Sequence, residues 1–199
     1  LRDEENFDKW RNLEIAKHRL IYQLLKLGLS LPSKQNDANG LSFDFVAKKE
    51  GSKIMTGHAN GLITILLSEA DSVQREKLRK HFLEPYRTLI GHLRHEVGHY
   101  FWDQLVITNA GLLKDFRSLF GDERKDYGQA LKDYYKDGSP EGWQKSFISR
   151  YATSHPWEDW AETWAHYLHI MDMVETAYFF GINVKQKKTG KGRKLKVSF

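Results

Sequence analysis

No cysteine occurs anywhere in the 199 residues. Disulfide frameworks, thiolate zinc sites and cysteine nucleophiles are therefore excluded within this chain, and any metal must be held by His, Asp or Glu. Either redox compartment tolerates such a composition. Long apolar runs are also missing: nothing approaches the roughly 18 residues needed to span a bilayer, and the opening "LRDEENFDKW" lacks the apolar core of a secretory signal. The expectation is a soluble, cytoplasmic protein with no membrane partner. An initiator Met is absent too, which suggests an excised or processed fragment whose upstream segment has been lost.

What is present argues for a folded domain. Hydrophobic residues make up 40% and aromatic residues 13% of the chain, enough at this length to bury a sizeable core. The net charge of +5 is misleading as an average, because "KQKKTGKGRKLKVSF" alone holds seven cationic residues (Lys185, Lys187, Lys188, Lys191, Arg193, Lys194 and Lys196) and no acid. The rest of the chain is thus slightly acidic. Residues 1–184 read as one domain and residues 185–199 as a solvated basic tail, the only place where nucleic acid or another anionic partner would be expected to bind.

Apolar residues at helical spacing (Phe7, Trp10, Leu13, Leu20, Leu24, Leu27) predict a long amphipathic first helix. Residues 29–40, rich in turn formers, read as a loop. "LSFDFVA" and "GLITILLSEA" read as strands of a small antiparallel sheet. A charged helix is expected over 72–83 and a more buried one over 84–105, with Pro85 at its first turn. Shorter helices are expected over 112–120, 127–135 and 143–151, and a last strong helix runs from "SHPWEDW" to Gly181. The fold class is α+β, mostly helical, with one small sheet.

The segment "RHEVGHYFWDQ" carries the chemistry. Residues four apart on a helix project from one face, so His95 and His99 can aim two imidazoles at one ion while Glu96 points beside it. In hydrolases built this way a third protein ligand joins them, and the fourth position holds a water that the zinc ion acidifies and the glutamate deprotonates. One Zn2+ is the expected cofactor. A third His six residues after His99 would complete one family pattern, but position 105 is Leu and position 102 is Trp. The alternative is a carboxylate from a later helix, and "HPWEDWAETWAHYLH" offers Glu158 and Glu162 one turn apart, with His166 and His169 beyond.

The strings "TGHANGLITI", "RHEVGHYFWDQL", "FGDERKDY" and "HPWEDWAETWAHYLHIMDMVETA" together resemble the bacterial zinc-binding metallopeptidases, a glutamate-zincin group with an HExxH motif; the resemblance covers most of residues 7–181. It implies a zincin-like metallopeptidase domain and a peptide or protein substrate. Members of that group often carry an N-terminal cysteine-rich zinc ribbon, whose absence here fits a truncated chain. In related glutamate-zincins a Tyr about seven residues before the ligand Glu stabilises the oxyanion, and Tyr151 stands at that spacing from Glu158. The resemblance therefore favours Glu158 as third ligand, with Glu162 orienting a ligand imidazole. Glu162 and His166 remain alternative ligands.

The expected reaction is peptide hydrolysis: Glu96 activates the zinc-bound water, Tyr151 or His155 stabilises the oxyanion, and Glu96 returns the proton to the leaving amine. His155 reads equally as the entry residue of the last helix. Asp103, one turn after His99, reads either as a partner for a ligand imidazole or as a surface acid. His58 reads as a turn histidine or as a lining residue. The strand over 62–67 either offers an edge to an extended peptide or lies inside the sheet. Trp102, Trp157, Trp160, Trp164 and Tyr167 read mainly as packing between the two metal-bearing helices. Two other readings share these residues: a zinc hydrolase of a nonpeptide amide, and an inactive zinc-containing binding module.

Overall fold

The computed structural model describes residues 4–48, 51, 54–72, 76 and 88–182. Most of the expected helix over 72–83, Pro85 and the basic tail lie outside the described residues. Helix α1 spans Glu4–Lys26. Leu13, Ala16, Leu20 and Leu24 recur at helical spacing and are almost fully buried, so one face of α1 enters the core. Glu4 and Glu5 in the first turn and Lys26 in the last oppose the helix dipole favourably. The helix stops at Gly28, whose φ of 73° lets the Leu29 N–H turn back to the Leu24 carbonyl at 3.1 Å.

Three short strands follow: β1 (Ser42–Val46), β2 (Gly57–Ala59) and β3 (Leu62–Leu66). Asn60 and Gly61, with φ of 49° and 79°, close a two-residue hairpin between β2 and β3. Gly61 is doubly constrained, since a Cβ there would sit 2.2 Å from the Gly40 carbonyl oxygen. The sheet order is β1-β3-β2. β2 runs antiparallel to β3, but β1 is parallel to it, so the sheet is mixed rather than antiparallel. β3 is also the central strand, with Ile63 and Ile65 fully buried. Past the end of β2, the Leu66 N–H is taken by Thr56 Oγ1 at 3.1 Å. An extended peptide therefore finds no free edge on β3, and the expectation of β-addition there is withdrawn.

Helix α2 (Leu89–Phe101) begins at Thr88, whose Oγ1 accepts the Gly91 N–H at 3.0 Å. It is the most buried element, lying among α1, the sheet and the last helix. At Trp102 the chain loosens into a π-helical turn, Trp102–Val106. Helices α3 (Ala110–Leu119) and α4 (Tyr127–Asp137) start at Asn109 and Asp126, whose side chains accept N–H groups of the first turn. The helix expected over 143–151 does not form: Gly142 is left-handed, and only two 3-10 turns, Trp143–Lys145 and Tyr151–Thr153, occur.

Helix α5 (Pro156–Phe179) crosses α2 closely. At Gly98 the helices nearly touch, since a Cβ there would lie 3.1 Å from Ala161 Cα, and Trp160 Nε1 donates to the Gly98 carbonyl at 2.8 Å. Trp102, Val106 and Phe116 form a second small core with Trp157 and Trp160 packed against it. Trp164 stacks on Phe101 at 4.9 Å. These tryptophans are packing residues, as expected, whereas Tyr167 is half exposed. Among the described residues no helix is long and apolar enough to cross a membrane.

Candidate metal centre

Helical spacing on α2 brings the rings of His95 and His99 edge to face, centroids 4.9 Å apart. The first turn of α5 sets Glu158 opposite them. Its Oε2 lies 3.0 Å from His95 Nε2 and 3.6 Å from His99 Nε2, and one donor atom of each residue falls within 4.8 Å of the others. Tetrahedral donors at about 2.0–2.1 Å from zinc stand about 3.4 Å apart, so the spacing suits that ion. All three residues are buried, Glu158 to 1% exposure. Despite its neighbours, Glu158 Oε2 has no aligned hydrogen-bond donor. A buried carboxylate oxygen with no aligned donor, set among two imidazole nitrogens, suits a cation between them.

Burial alone would drive charge out of this cluster, but the opposed charges outweigh it. Desolvation works against a charged His95, but the adjacent Glu158 and Glu162 carboxylates raise its pKa well above the ordinary value. Burial likewise works against the Glu158 carboxylate, which His95 and His99 nonetheless hold well below the usual range. Glu162, one turn along α5, bonds His95 Nδ1 at 2.7 Å. Glu162 thus holds the ring with Nε2 aimed inward and is not a member of the three-residue group itself. His166 bonds the Glu162 carbonyl through Nδ1 at 2.8 Å and also stays outside that group.

Glu96 lies beside the centre, 5% exposed, with Oε1 3.3 Å from His92 Nε2. Burial opposes its ionisation, but His92, His95 and His99 keep its pKa low, so it stands as a carboxylate. His92 reaches Glu69 through its other nitrogen at 3.4 Å. Neither His92 nor Glu69 was picked out from the sequence; the four-residue spacing of His92 and Glu96 on the same helix was the available signal.

The outer residues sort differently. Tyr151 lies against the centre, its ring 6.0 Å from that of His95, and burial with the nearby Glu158 charge raises its pKa. His155 does not face the centre. Its Nδ1 accepts the Trp157 N–H at 3.1 Å, so its proton sits on Nε2 and is donated to the Lys125 carbonyl at 3.2 Å. Both nitrogens serve the backbone, and the oxyanion role expected as an alternative for His155 is withdrawn.

Asp103 does not reach His99, whose Nδ1 is buried without a hydrogen-bond partner. Its carboxylate instead lies 3.9 Å from His58 Nδ1. The α-helix gives way to a π-helical turn at Trp102, so the one-turn alignment of Asp103 with His99 is not kept. His58, on β2, accepts the Gly61 N–H at 3.0 Å and so anchors the hairpin turn. Burial, then the charge of His99, lowers its pKa to about 4. Tyr127, which was not singled out, donates to Glu158 Oε1 at 2.6 Å.

Residues 6–198 match the family described as "Putative zinc-binding metallo-peptidase". The chain belongs to this zinc-binding metallo-peptidase family. It is also 49% identical, over 170 residues, to uncharacterized proteins of Mycobacterium bovis and of two Mycobacterium tuberculosis strains, covering 85% of this chain and 50% of each relative. The chain thus spans about half the length of the curated relatives it matches. No solved structure matches it. Membership supports a protease at a coarse level, and the buried His95, His99 and Glu158 group is where this member could hold a metal ion.

Proposed function

We propose that this metallo-peptidase family member hydrolyses peptide bonds with one zinc ion held by His95, His99 and Glu158. The observation that carries the reading is the unsatisfied Glu158 Oε2 facing two buried imidazole nitrogens, with an ionised glutamate next to them. Zinc bound there supplies a Lewis acid for the scissile carbonyl and for water. Glu96 takes a proton from the attacking water and returns it to the leaving amine. In this reading Tyr151, whose ring lies 6.0 Å from that of His95, donates to the developing oxyanion. Glu162 keeps His95 in the tautomer that presents Nε2. A peptide or protein substrate and a cytoplasmic location complete the proposal.

The test starts with elemental analysis of protein purified without added metal, for wild type, His95→Ala and Glu158→Ala. About one zinc per wild-type chain, mostly lost in both variants, supports the ligand set. A peptide-library cleavage assay then compares wild type with Glu96→Gln, which is expected to keep zinc and lose turnover. A wild type that cannot be loaded with zinc, or a Glu96→Gln variant that cleaves normally, would sink the reading.

A further inference from the structure

The Glu158 carboxylate has two oxygens and two different neighbourhoods. Oε2 faces the imidazoles, while Oε1 accepts the Tyr127 hydroxyl at 2.6 Å. We propose that Tyr127 is a positioning residue that occupies Oε1 of Glu158 and so restricts this ligand to one oxygen toward the metal. The inference rests on the zinc reading above and adds to it the device that keeps a coordination position open for water.

The surroundings of Tyr127 show that its hydroxyl is held in place. Asp126 caps α4 by accepting the Gln129 N–H at 2.8 Å, which fixes Tyr127 at the start of the helix. Two residues earlier, the Lys125 carbonyl takes the His155 Nε2 proton, tying the segment before α4 to the entry of α5. The Tyr127 ring meets His155 edge-on at 5.2 Å and Trp157 edge-on at 5.9 Å. His155 therefore works from behind Tyr127, on the same helix entry that delivers Glu158.

Proton direction follows from counting donors. A phenol has one proton, and that of Tyr127 goes to Glu158. That bond ends on the carboxylate oxygen that does not face the histidines. A carboxylate with one oxygen so engaged offers a metal the other alone, and three single-atom donors leave the fourth tetrahedral position for water or substrate.

The experiment uses the full chain and compares wild type, Tyr127→Phe and Tyr151→Phe. Tyr127 is 37% exposed and the change removes one oxygen, so the variant is expected to fold. Zinc affinity is read by competition with a chromophoric chelator, and coordination by the visible d–d bands of the cobalt(II)-substituted protein. Tyr127→Phe is expected to bind zinc about 10–100-fold more weakly and to show weaker cobalt bands, because the freed Oε1 joins the ion and raises its coordination number. Tyr151→Phe is expected to keep both wild-type values. Unchanged affinity and spectrum in Tyr127→Phe would overturn this inference while leaving the zinc reading intact. Weaker zinc binding with an unchanged spectrum would also overturn it, since a purely structural role predicts that pattern. A wild type that takes up no zinc would overturn both.

Discussion

His95 has two ring nitrogens and two carboxylates within reach, and only one assignment makes it a ligand. For a metal to bind, Nδ1 must keep its proton toward Glu162, 2.7 Å away, and Nε2 must give up its own. Removing the carboxylate in Glu162→Ala should therefore lower zinc affinity by about 10–100-fold, measured by chelator competition, with the fold retained by circular dichroism. Unchanged affinity would mean that the ring is held by α2 packing alone. The same residue-scale contrast explains what the sequence could reveal. His95, Glu96 and His99 were legible because one helix fixes their relation, and Glu158 and Glu162 because a second helix does. Tyr127 was not, because its bond to Glu158 spans 31 residues and depends on how the segment before α4 folds back. His155 shows the reverse case: a residue type fit for catalysis was spent on capping a helix.

Between elements, the deciding contact is Gly98 of α2 against α5. A methyl group at 98 would lie 3.1 Å from Ala161 Cα and 3.2 Å from Trp164 Cδ1, and the first of these is backbone that cannot rotate away. Gly98→Ala gains about 1 kcal/mol of helix propensity but should lose about 1–3 kcal/mol to overpacking. Net destabilisation by urea unfolding is expected, together with weaker zinc binding, because the same separation of helices moves Glu158 from the histidines. A stabilised variant with normal zinc binding would show that the interface yields. The long helices α1, α2 and α5 were readable since each shows a sustained apolar period and clear end signals. Sheet order was not, because alternation identifies a strand without saying which neighbour it pairs with. β1 reaches β3 in parallel only after the chain has made the β2 hairpin. The 3-10 turns within 143–153 carry too few residues for any period to distinguish them from a helix.

Across the whole molecule, α2 is held by polar contacts at both flanks of the face that carries His95 and His99. On one flank Arg94, 1% exposed, bonds Gln23 of α1 at 3.1 Å and pairs with Asp172 of α5. Gln23 adds bonds to the Leu168 carbonyl and to Asp172, both at 2.7 Å, so three helices meet in one network. On the other flank His92 bridges Glu96 of α2 and Glu69 of the 3-10 turn after β3, joining the helical part to the sheet. Burial disfavours the charged imidazole there, yet hydrogen bonds to Glu69 and Glu96 outweigh it and carry its pKa up to about 9. An unfolded His titrates near 6.5, so the folded state binds this proton more tightly than the unfolded one. The stabilisation from His92 is then complete below about pH 6.5, shrinks as pH rises above that value, and is gone once pH has passed through about 9. Thermal melts of metal-free wild type and His92→Gln from pH 6 to 10 should show wild type more stable at the acidic end, with the two Tm values converging toward pH 10. A Tm difference that stays constant across the range would mean that His92 contributes by packing and neutral hydrogen bonds, and that the sheet and α2 are not joined by its charge.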